Sequence, residues 1–277
     1  MNKIIKKTAV IGNPIKHSLS PQIHNYWIKQ NQLEVEEYRK IEINLLNSKV
    51  EIKKLLENEF SGLNVTIPLK EIAYEICDNL TETSEKLKAV NTITYNNNSI
   101  SGDNTDPEGF TKSIAEKIKT ENIVGKNVLV IGAGGSARSI VYALDKMQAK
   151  ITIVNRTTAK AINLSNDLDI PLNIEEFDQI NSLIHDFDMV VNTTALGMLG
   201  NQNLNIDLSK IKSTAHIYDL IYNPFETQLI KDAKIKNISY QNGLGMLINQ
   251  AAESFKIWHD VYPTINADLF SLLRNSY

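Results

Sequence analysis

The sequence predicts an α/β protein of two units, one of them a doubly wound parallel sheet, and three observations carry that prediction. First, Asn127-Val-Leu-Val-Ile131 is an apolar run of strand length that passes through Gly132-Ala133-Gly134-Gly135-Ser136-Ala137 into a helical pattern ending near Met147. Second, another apolar strand, Ile151 to Val154, ends in Asn155-Arg156-Thr157, and strand patterns recur at Met189–Asn192 and His216–Asp219. Strands alternating with helices in this order imply parallel pairing with helices on both faces. Third, the residues before Asp106 alternate strands and helices of their own without any glycine-rich phosphate loop, which sets them apart as a separate α/β unit.

The glycine turn identifies what the middle unit holds. Glycines let the backbone approach a pyrophosphate at a helix N-terminus, where free N–H groups and the helix dipole favour an anion. Gly132, Gly134 and Ala137 fit G-x-G-x-x-[G/A], a weak pattern by itself. The strand before it and the helix after it separate it from an ordinary glycine turn. The unit is therefore read as a Rossmann-type dinucleotide-binding domain. In such domains the second strand commonly ends in an acid that hydrogen-bonds a ribose 2′-OH, whereas Arg156 at that point suits a 2′-phosphate, so the expected cofactor is NADP.

The elements of the first unit follow in order. Thr8–Ile11 is a short strand meeting a Gly-Asn-Pro turn, and Ser20-Pro21 has the form of an N-cap with proline at the first helical position. Tyr38 to Ile43 alternates as a half-buried strand, Leu45 to Leu56 has helical spacing, and Gly62 to Pro68 is a strand. Lys70–Cys77 and Glu82–Leu87 are helices, and Val90–Tyr95 and Ser99–Ser101 form a hairpin around an Asn96-Asn97-Asn98 tip. A helix from Pro107 to Lys119 leads into the dinucleotide domain, and two more, Leu244–Trp258 and Ala267–Leu273, close the chain. The expected units are 1–106 with 243–277, and 107–242, with a cleft between them.

Composition excludes several classes. The chain has 277 residues, 42% of them hydrophobic and 22% charged, with a formal net charge of −3. That charge is too small to suggest nucleic acid or an anionic membrane as partner. The basic start is followed by too short an apolar run for a signal peptide, and no run approaches a membrane span. The one cysteine, Cys77, precludes an internal disulfide, reads as a packed core thiol, and fits a cytoplasmic location. The five histidines show no metal spacing; His24 is an ordinary helix residue and His17 is undecided.

Three polar clusters stand out in the first unit: His17 to Ser20, Asn64 to Lys70, and Asn91-Thr92 with Asp103 to Asp106. For Ser20 a cap and a ligand contact are both compatible with the pattern, and Asp106 before Pro107 has the form of an N-cap. Lys70 opens a helix, where the dipole disfavours a cation, so its placement asks for another reason. Asn64 and Thr66 alternate with Val65 and Ile67 and so share one strand face.

Taken together, these motifs resemble the shikimate dehydrogenase family nearly end to end. The resemblance rests on Gly12-Asn-Pro-Ile-Lys-His-Ser-Leu-Ser-Pro21, Asn64-Val-Thr-Ile-Pro-Leu-Lys70, Ala89-Val-Asn-Thr92, Gly102-Asp-Asn-Thr-Asp106, Gly132 to Arg138, Asn155-Arg-Thr157 and Gly243 to Ala252. It implies Lys70 and Asp106 as the catalytic pair, Ser18 and Ser20 on a substrate carboxylate, and Asn64, Thr66, Asn91, Tyr222 and Gln250 on ring hydroxyls. On the cofactor side it implies Gly132, Ala133, Gly134, Gly135, Ser136, Ala137, Asn155, Arg156, Thr157, Thr194, Leu220 and Gly243, with Glu82 a weaker candidate. Lys160 stands where many members carry a second Arg, keeping the charge but not the planar fork. A proline common in the segment matching Thr193–Met198 is missing, and Leu220 replaces a frequent Met. The implied activity is reversible NADPH-dependent reduction of 3-dehydroshikimate to shikimate, by a monomer or homodimer. Rival readings are a quinate/shikimate dehydrogenase with relaxed cofactor use, which Arg156 disfavours, and a non-catalytic sensor of shikimate or NADPH, which the retention of both Lys70 and Asp106 disfavours.

Overall fold

The computed structural model describes residues 7–275; the basic start, Met1 to Lys6, lies outside the described residues. The chain divides into two compact units, one taking residues up to Asp106 and again from Gln250, the other Pro107–Asn249.

The first unit opens with β1 (Thr8–Gly12), α1 (Ser20–Gln30), β2 (Arg39–Glu42), α2 (Ser48–Asn58) and β3 (Gly62–Val65), followed by α3 (Lys70–Ile76), β4 (Asn79–Leu80), α4 (Glu82–Leu87), β5 (Thr92–Asn96) and β6 (Ser99–Asp103). They build one six-stranded sheet in the order β2-β1-β3-β5-β6-β4. β1 runs parallel to both β2 and β3, with Ala9 opposite Arg39 on one side and Leu63 on the other. β5 turns antiparallel to β3 and to β6, and Asn64 pairs with Thr92. The hairpin tip is the two-residue loop Asn97-Asn98, with φ of 49° and 60°. Asparagine tolerates this left-handed backbone, and the resulting turn matches the strand twist. The core packs Ala9, Ile11, Ile52, Leu63, Leu69 and Ile93, all fully or nearly fully buried.

β3 is shorter than the expected Gly62–Pro68. Beyond Val65 the chain leaves the ladder: the Thr66 N–H still reaches Ile11 O, but Leu69 N–H closes a turn onto Thr66 O and Ile67 is 67% exposed. The strand therefore ends three residues before the expected Pro68.

The second unit contains α5 (Asp106–Ala115), β7 (Asn127–Ile131), α6 (Gly135–Lys146), β8 (Lys150–Asn155), α7 (Thr158–Leu168), β9 (Asn173–Glu176), the single turn α8 (Ile180–Leu183), β10 (Met189–Asn192), β11 (His216–Asp219), α9 (Gln228–Ile235) and β12 (Ser239–Asn242). α5 stops four residues short of the expected end, where the N–H groups of both Lys117 and Ile118 turn to Ile114 O. The sheet order is β12-β11-β10-β7-β8-β9, every pair parallel. Counted from β7, that is the doubly wound order 3-2-1-4-5-6, with its reversal between β7 and β10. Leu129, Ile131, Val154, Val190 and Ile217 form its buried centre.

Two helices end the chain. α10 (Leu244–His259) bridges the division, with residues up to Asn249 grouped with the second unit and the remainder with the first. The expected return at 243 thus compares with Gln250 in the structure. α11 (Ala267–Arg274) starts at Asn266, whose side chain caps Leu269 N–H and accepts from the Tyr26 hydroxyl.

Candidate functional site

In the first unit the site is assembled at the ends of β3, β5 and β6. Lys70 is the first residue of α3, and its ammonium bonds the Asp106 carboxylate. This pairing supplies the reason for a cation at a helix start: a full negative charge at contact outweighs the dipole's repulsion of at most about 1 kcal/mol at an exposed site. The side chains are 26% and 10% exposed, so the pair is partly shielded yet still reachable.

Asp106 does not cap its own helix. Asn104 Oδ1 accepts from the Asp106 N–H at 3.2 Å, leaving the carboxylate for Lys70 and for Asn91, whose Nδ2 donates to Oδ1 at 2.8 Å. Asn91 Nδ2 also approaches Thr105 Oγ1 and, at 3.4 Å, Gln250 Oε1. Ser18 and Ser20 follow the same logic. Ser20 N–H donates to Ser18 Oγ at 3.3 Å, and Ser20's own hydroxyl caps nothing. In both places the residue read as an N-cap is the first residue of the helix, and the residue two positions earlier accepts from its N–H.

Asn64 is buried, and its amide is engaged within the unit by Tyr38, Asn91 O, Thr92 and Ser254. Thr66 is half-buried beside Gly12. His17 is exposed, whereas His24 is fully buried and stacked on Tyr38 at 4.1 Å. Burial, with His259 nearby, pushes the His24 imidazole down to about 3. Cys77 is a packed thiol hydrogen-bonded to Ala73 O and pushed up by burial to about 12, which leaves it a poor nucleophile. Glu82 opens α4 in this unit.

In the second unit a cavity of about 430 Å³ lies at the C-terminal ends of β7, β8 and β10, at the order reversal. Gly132, Ala133, Gly134, Asn155, Arg156, Lys160 and Thr194 line it; Gly135, Ser136, Ala137, Thr157, Leu220 and Gly243 do not. Gly132 has φ of +105°, and an added Cβ would lie 2.8 Å from both Thr193 and Thr194, so glycine is required there. Gly135 starts α6, presenting free N–H groups to the cavity end of the helix. Asn155 Nδ2 donates to Thr157 O at 2.8 Å and shapes the turn that carries Arg156. These features fit a dinucleotide: an anion-binding helix start, a backbone stripped of Cβ atoms, and two cations 4 residues apart on the chain. Leu220 and Gly243 sit together at the end of β11, so close that a Cβ on Gly243 would lie 1.8 Å from Leu220 O. Tyr222, whose phenol burial raises, belongs to this unit as well.

Sequence reasoning missed the supports of this cavity. Asn192 Oδ1 accepts from Thr194 N–H and Oγ1, while its Nδ2 donates to Leu196 O and to Asp219 Oδ1. Asp219 also accepts from Thr227 at 2.6 Å and from Ile221 N–H. Burial raises the Asp219 carboxyl, and these hydrogen bonds oppose the rise. A polar residue at the end of an apolar parallel strand was the available signal in both cases. Phe177, Asn201 and Gln202 also line the cavity, and they lie in segments without a motif. Among the described residues no group of three or more His, Cys, Asp and Glu is arranged to hold a metal ion, and no helix is long and apolar enough to cross a membrane.

The fold and the two residue sets define a two-unit α/β protein, one unit a Rossmann-like sheet with a cavity that fits a dinucleotide, the other carrying a lysine–aspartate pair. Three family models cover it in succession: a shikimate dehydrogenase substrate binding domain at residues 10–93, shikimate / quinate 5-dehydrogenase at 113–224, and a shikimate 5′-dehydrogenase C-terminal domain at 243–265. The chain is 42% identical to a shikimate dehydrogenase (NADP(+)) of Pelagibacter ubique, over 97% of this chain and 99% of that one. Among solved structures, shikimate dehydrogenase from Aquifex aeolicus matches with a TM-score of 0.88 and 35% identity, covering 100% and 98% of the two chains. Shikimate 5-dehydrogenase from Thermus thermophilus, in complex with NADP(H) and shikimate, matches with a TM-score of 0.87 and 27% identity over 99% and 100%. The chain belongs to the shikimate dehydrogenase family.

Proposed function

We propose that this chain catalyses the reversible NADPH-dependent reduction of 3-dehydroshikimate to shikimate, a CH–OH oxidoreduction on the route to aromatic amino acids. The observation that carries the reading is the Lys70–Asp106 pair, braced by Asn91 and partly open, in a chain of this family. Relatives named shikimate dehydrogenase (NADP(+)) and the complex with NADP(H) and shikimate support it.

When bound, NADPH supplies the hydride that goes to the carbonyl carbon. Lys70 gives its proton to the carbonyl oxygen and, in the reverse direction, takes it back. Asp106 keeps the ammonium aimed at that oxygen and hydrogen-bonds the hydroxyl that forms. Such acid–base assistance is worth about 10² to 10⁴ in rate. Ser18 and Ser20 take the carboxylate at the α1 start, and Asn64, Thr66, Asn91, Tyr222 and Gln250 orient the ring hydroxyls, with Asn64 also bonded to the Asn91 carbonyl. Gly132 to Ala137 and the α6 start receive the pyrophosphate, Arg156 and Lys160 the 2′-phosphate, and Thr194, Leu220 and Gly243 the remainder of the cofactor, with Glu82 the outlying candidate.

The test is the purified protein assayed with shikimate or quinate against NADP or NAD, following the reduced cofactor by absorbance. Shikimate with NADP is expected to dominate. Comparable turnover of quinate with NAD would favour the relaxed-specificity reading, and no turnover in any pairing would sink the enzymatic one. A cytoplasmic monomer or homodimer is part of the proposal; light scattering checks the assembly, and cell fractionation checks the location.

A further inference from the structure

Behind the Lys70–Asp106 pair lies a line of buried hydroxyl and amide groups, of which the proposed chemistry uses only Asn64 and Asn91. The Tyr38 hydroxyl donates to Asn64 Oδ1 at 2.7 Å, and Asn64 Nδ2 donates to Ser254 Oγ at 2.9 Å. Ser254 and Thr92 hydroxyls are 2.7 Å apart, and Thr92 donates to Asn91 Oδ1 at 2.8 Å. Asn91 Nδ2 then reaches Asp106 Oδ1, while the other carboxylate oxygen holds Lys70. Tyr38, Thr92, Ser254 and Asn91 are at most 2% exposed, so water offers no substitute partner along the line.

The polarity of this line is dictated by its neighbours. The Asn91 backbone carbonyl can only accept, and it lies 3.2 Å from the Asn64 amide nitrogen. Asn64 must therefore turn its NH₂ that way and its Oδ1 toward Tyr38, which makes the phenol the donor. The Thr105 backbone N–H can only donate, and it lies 2.9 Å from Asn91 Oδ1, which turns the Asn91 NH₂ toward Asp106. Thr92 gives its one hydrogen to Asn91 Oδ1, so in the 2.7 Å Thr92–Ser254 contact Ser254 is the donor, and the Gln250 carbonyl at 3.2 Å is its longer alternative acceptor. Every bond runs in one direction, from the phenol to the carboxylate, an arrangement in which each link polarises the next.

We propose that Tyr38 and Ser254 are positioning residues for the reaction, holding the Asn64 and Asn91 amides in one orientation and thereby aiming Asp106 at Lys70. This inference rests on Lys70 and Asp106 being the acid–base pair. Ser254→Ala removes the donor to Thr92 and the acceptor of the Asn64 amide while leaving Lys70, Asp106 and Asn91 in place. Its kcat is expected to fall about tenfold, the scale of one lost hydrogen bond. The KM for NADP stays put, and Ser254→Thr, which keeps the hydroxyl, restores most of the rate. Tyr38→Phe is expected to act in the same sense, and the double variant to lose no more than the worse single one, because Tyr38 acts on Asn91 through Asn64 and Ser254 in series. If Tyr38→Phe does not fold, the Ser254→Ala and Ser254→Thr pair decides alone. Wild-type kcat in Ser254→Ala, or equal loss in Ser254→Thr and Ser254→Ala, overturns the proposal. Lys70→Ala assayed alongside separates the layers: retained turnover there defeats the acid–base reading and this inference with it, whereas lost turnover there with an unaffected Ser254→Ala defeats this inference alone.

Discussion

Replacing Gly134 by alanine is expected to move stability and cofactor affinity in opposite directions. Gly134 precedes α6 with φ of −98° and ψ of −168°, a backbone that any residue adopts. A Cβ built there meets nothing within 4 Å. Alanine therefore fits without strain, and by narrowing the unfolded ensemble it stabilises the fold by about 0.4 to 1 kcal/mol. Gly134 also lines the 430 Å³ cavity, so the added methyl stands where the backbone must be bare for a pyrophosphate to approach. Charge-assisted hydrogen bonds of the kind lost are worth about 1.5 to 3 kcal/mol. At about 1.4 kcal/mol per decade, that weakens NADP binding about 10- to 100-fold. Calorimetric titration with NADP and thermal unfolding of the ligand-free protein give the two numbers from one preparation. Gly132→Ala is the control: with φ of +105° and Thr193 and Thr194 at 2.8 Å, it loses stability and affinity together. A Gly134→Ala protein that binds NADP within twofold of wild type would refute the assignment of this turn to the pyrophosphate. A melting temperature that falls with its affinity would refute the claim that the space is open.

Lys70→Ala is expected to lower kcat by about 10² to 10⁴ with shikimate affinity largely kept, and steady-state kinetics with direct binding check the split. Arg156→Ala should raise the KM for NADPH about 10- to 100-fold and that for NADH little, through loss of a charge-assisted bond to the 2′-phosphate; equal change with both cofactors would count against that role. The two buried histidines set an acid limit. Burial depresses His216 to about 4 and His24 to about 3, below the ordinary 6.5. Because the folded values are the lower ones, their contribution is fully present above pH 6.5 and is lost as pH falls toward 4 and then 3. Each group costs about 1.4 kcal/mol per pH unit across its window, so denaturant unfolding at pH 7, 5 and 4 should show a steepening loss. Equal stability at all three values would contradict neutral burial.

Much of the architecture was legible because its strands are buried on both faces and read as apolar runs. β7, β8, β10 and β11 are of that kind. β9 (Asn-Ile-Glu-Glu) and β12 (Ser-Tyr-Gln-Asn) were not, because sheet edges need no apolar alternation. Helix ends were read less well than helix centres: α5 stops at Ala115 without a glycine or proline to announce it. The caps misled for a definite reason. Ser20 and Asp106 have the residue types of N-caps, but each is the first residue of its helix, with its own N–H bonded to Ser18 or Asn104 two positions earlier.

By itself the sequence determined the local chemistry: a glycine turn between strand and helix, Arg156 at the end of the next strand, and a lysine at a helix start that needed an anion nearby. These are properties of neighbours along the chain, carried by periods of two and 3.6 residues and by the backbone demands of glycine. The family resemblance had paired that lysine with Asp106; only the tertiary structure put the two in contact, 36 residues apart along the chain, with Asn91 bracing the carboxylate. Only it brought Tyr38 and Ser254 to the same buried line, across 26 and 190 residues to Asn64. Hydrogen-bond polarity between groups so far apart follows from which oxygens and nitrogens the sheet and α10 place within hydrogen-bond reach, and no local pattern in the chain encodes that.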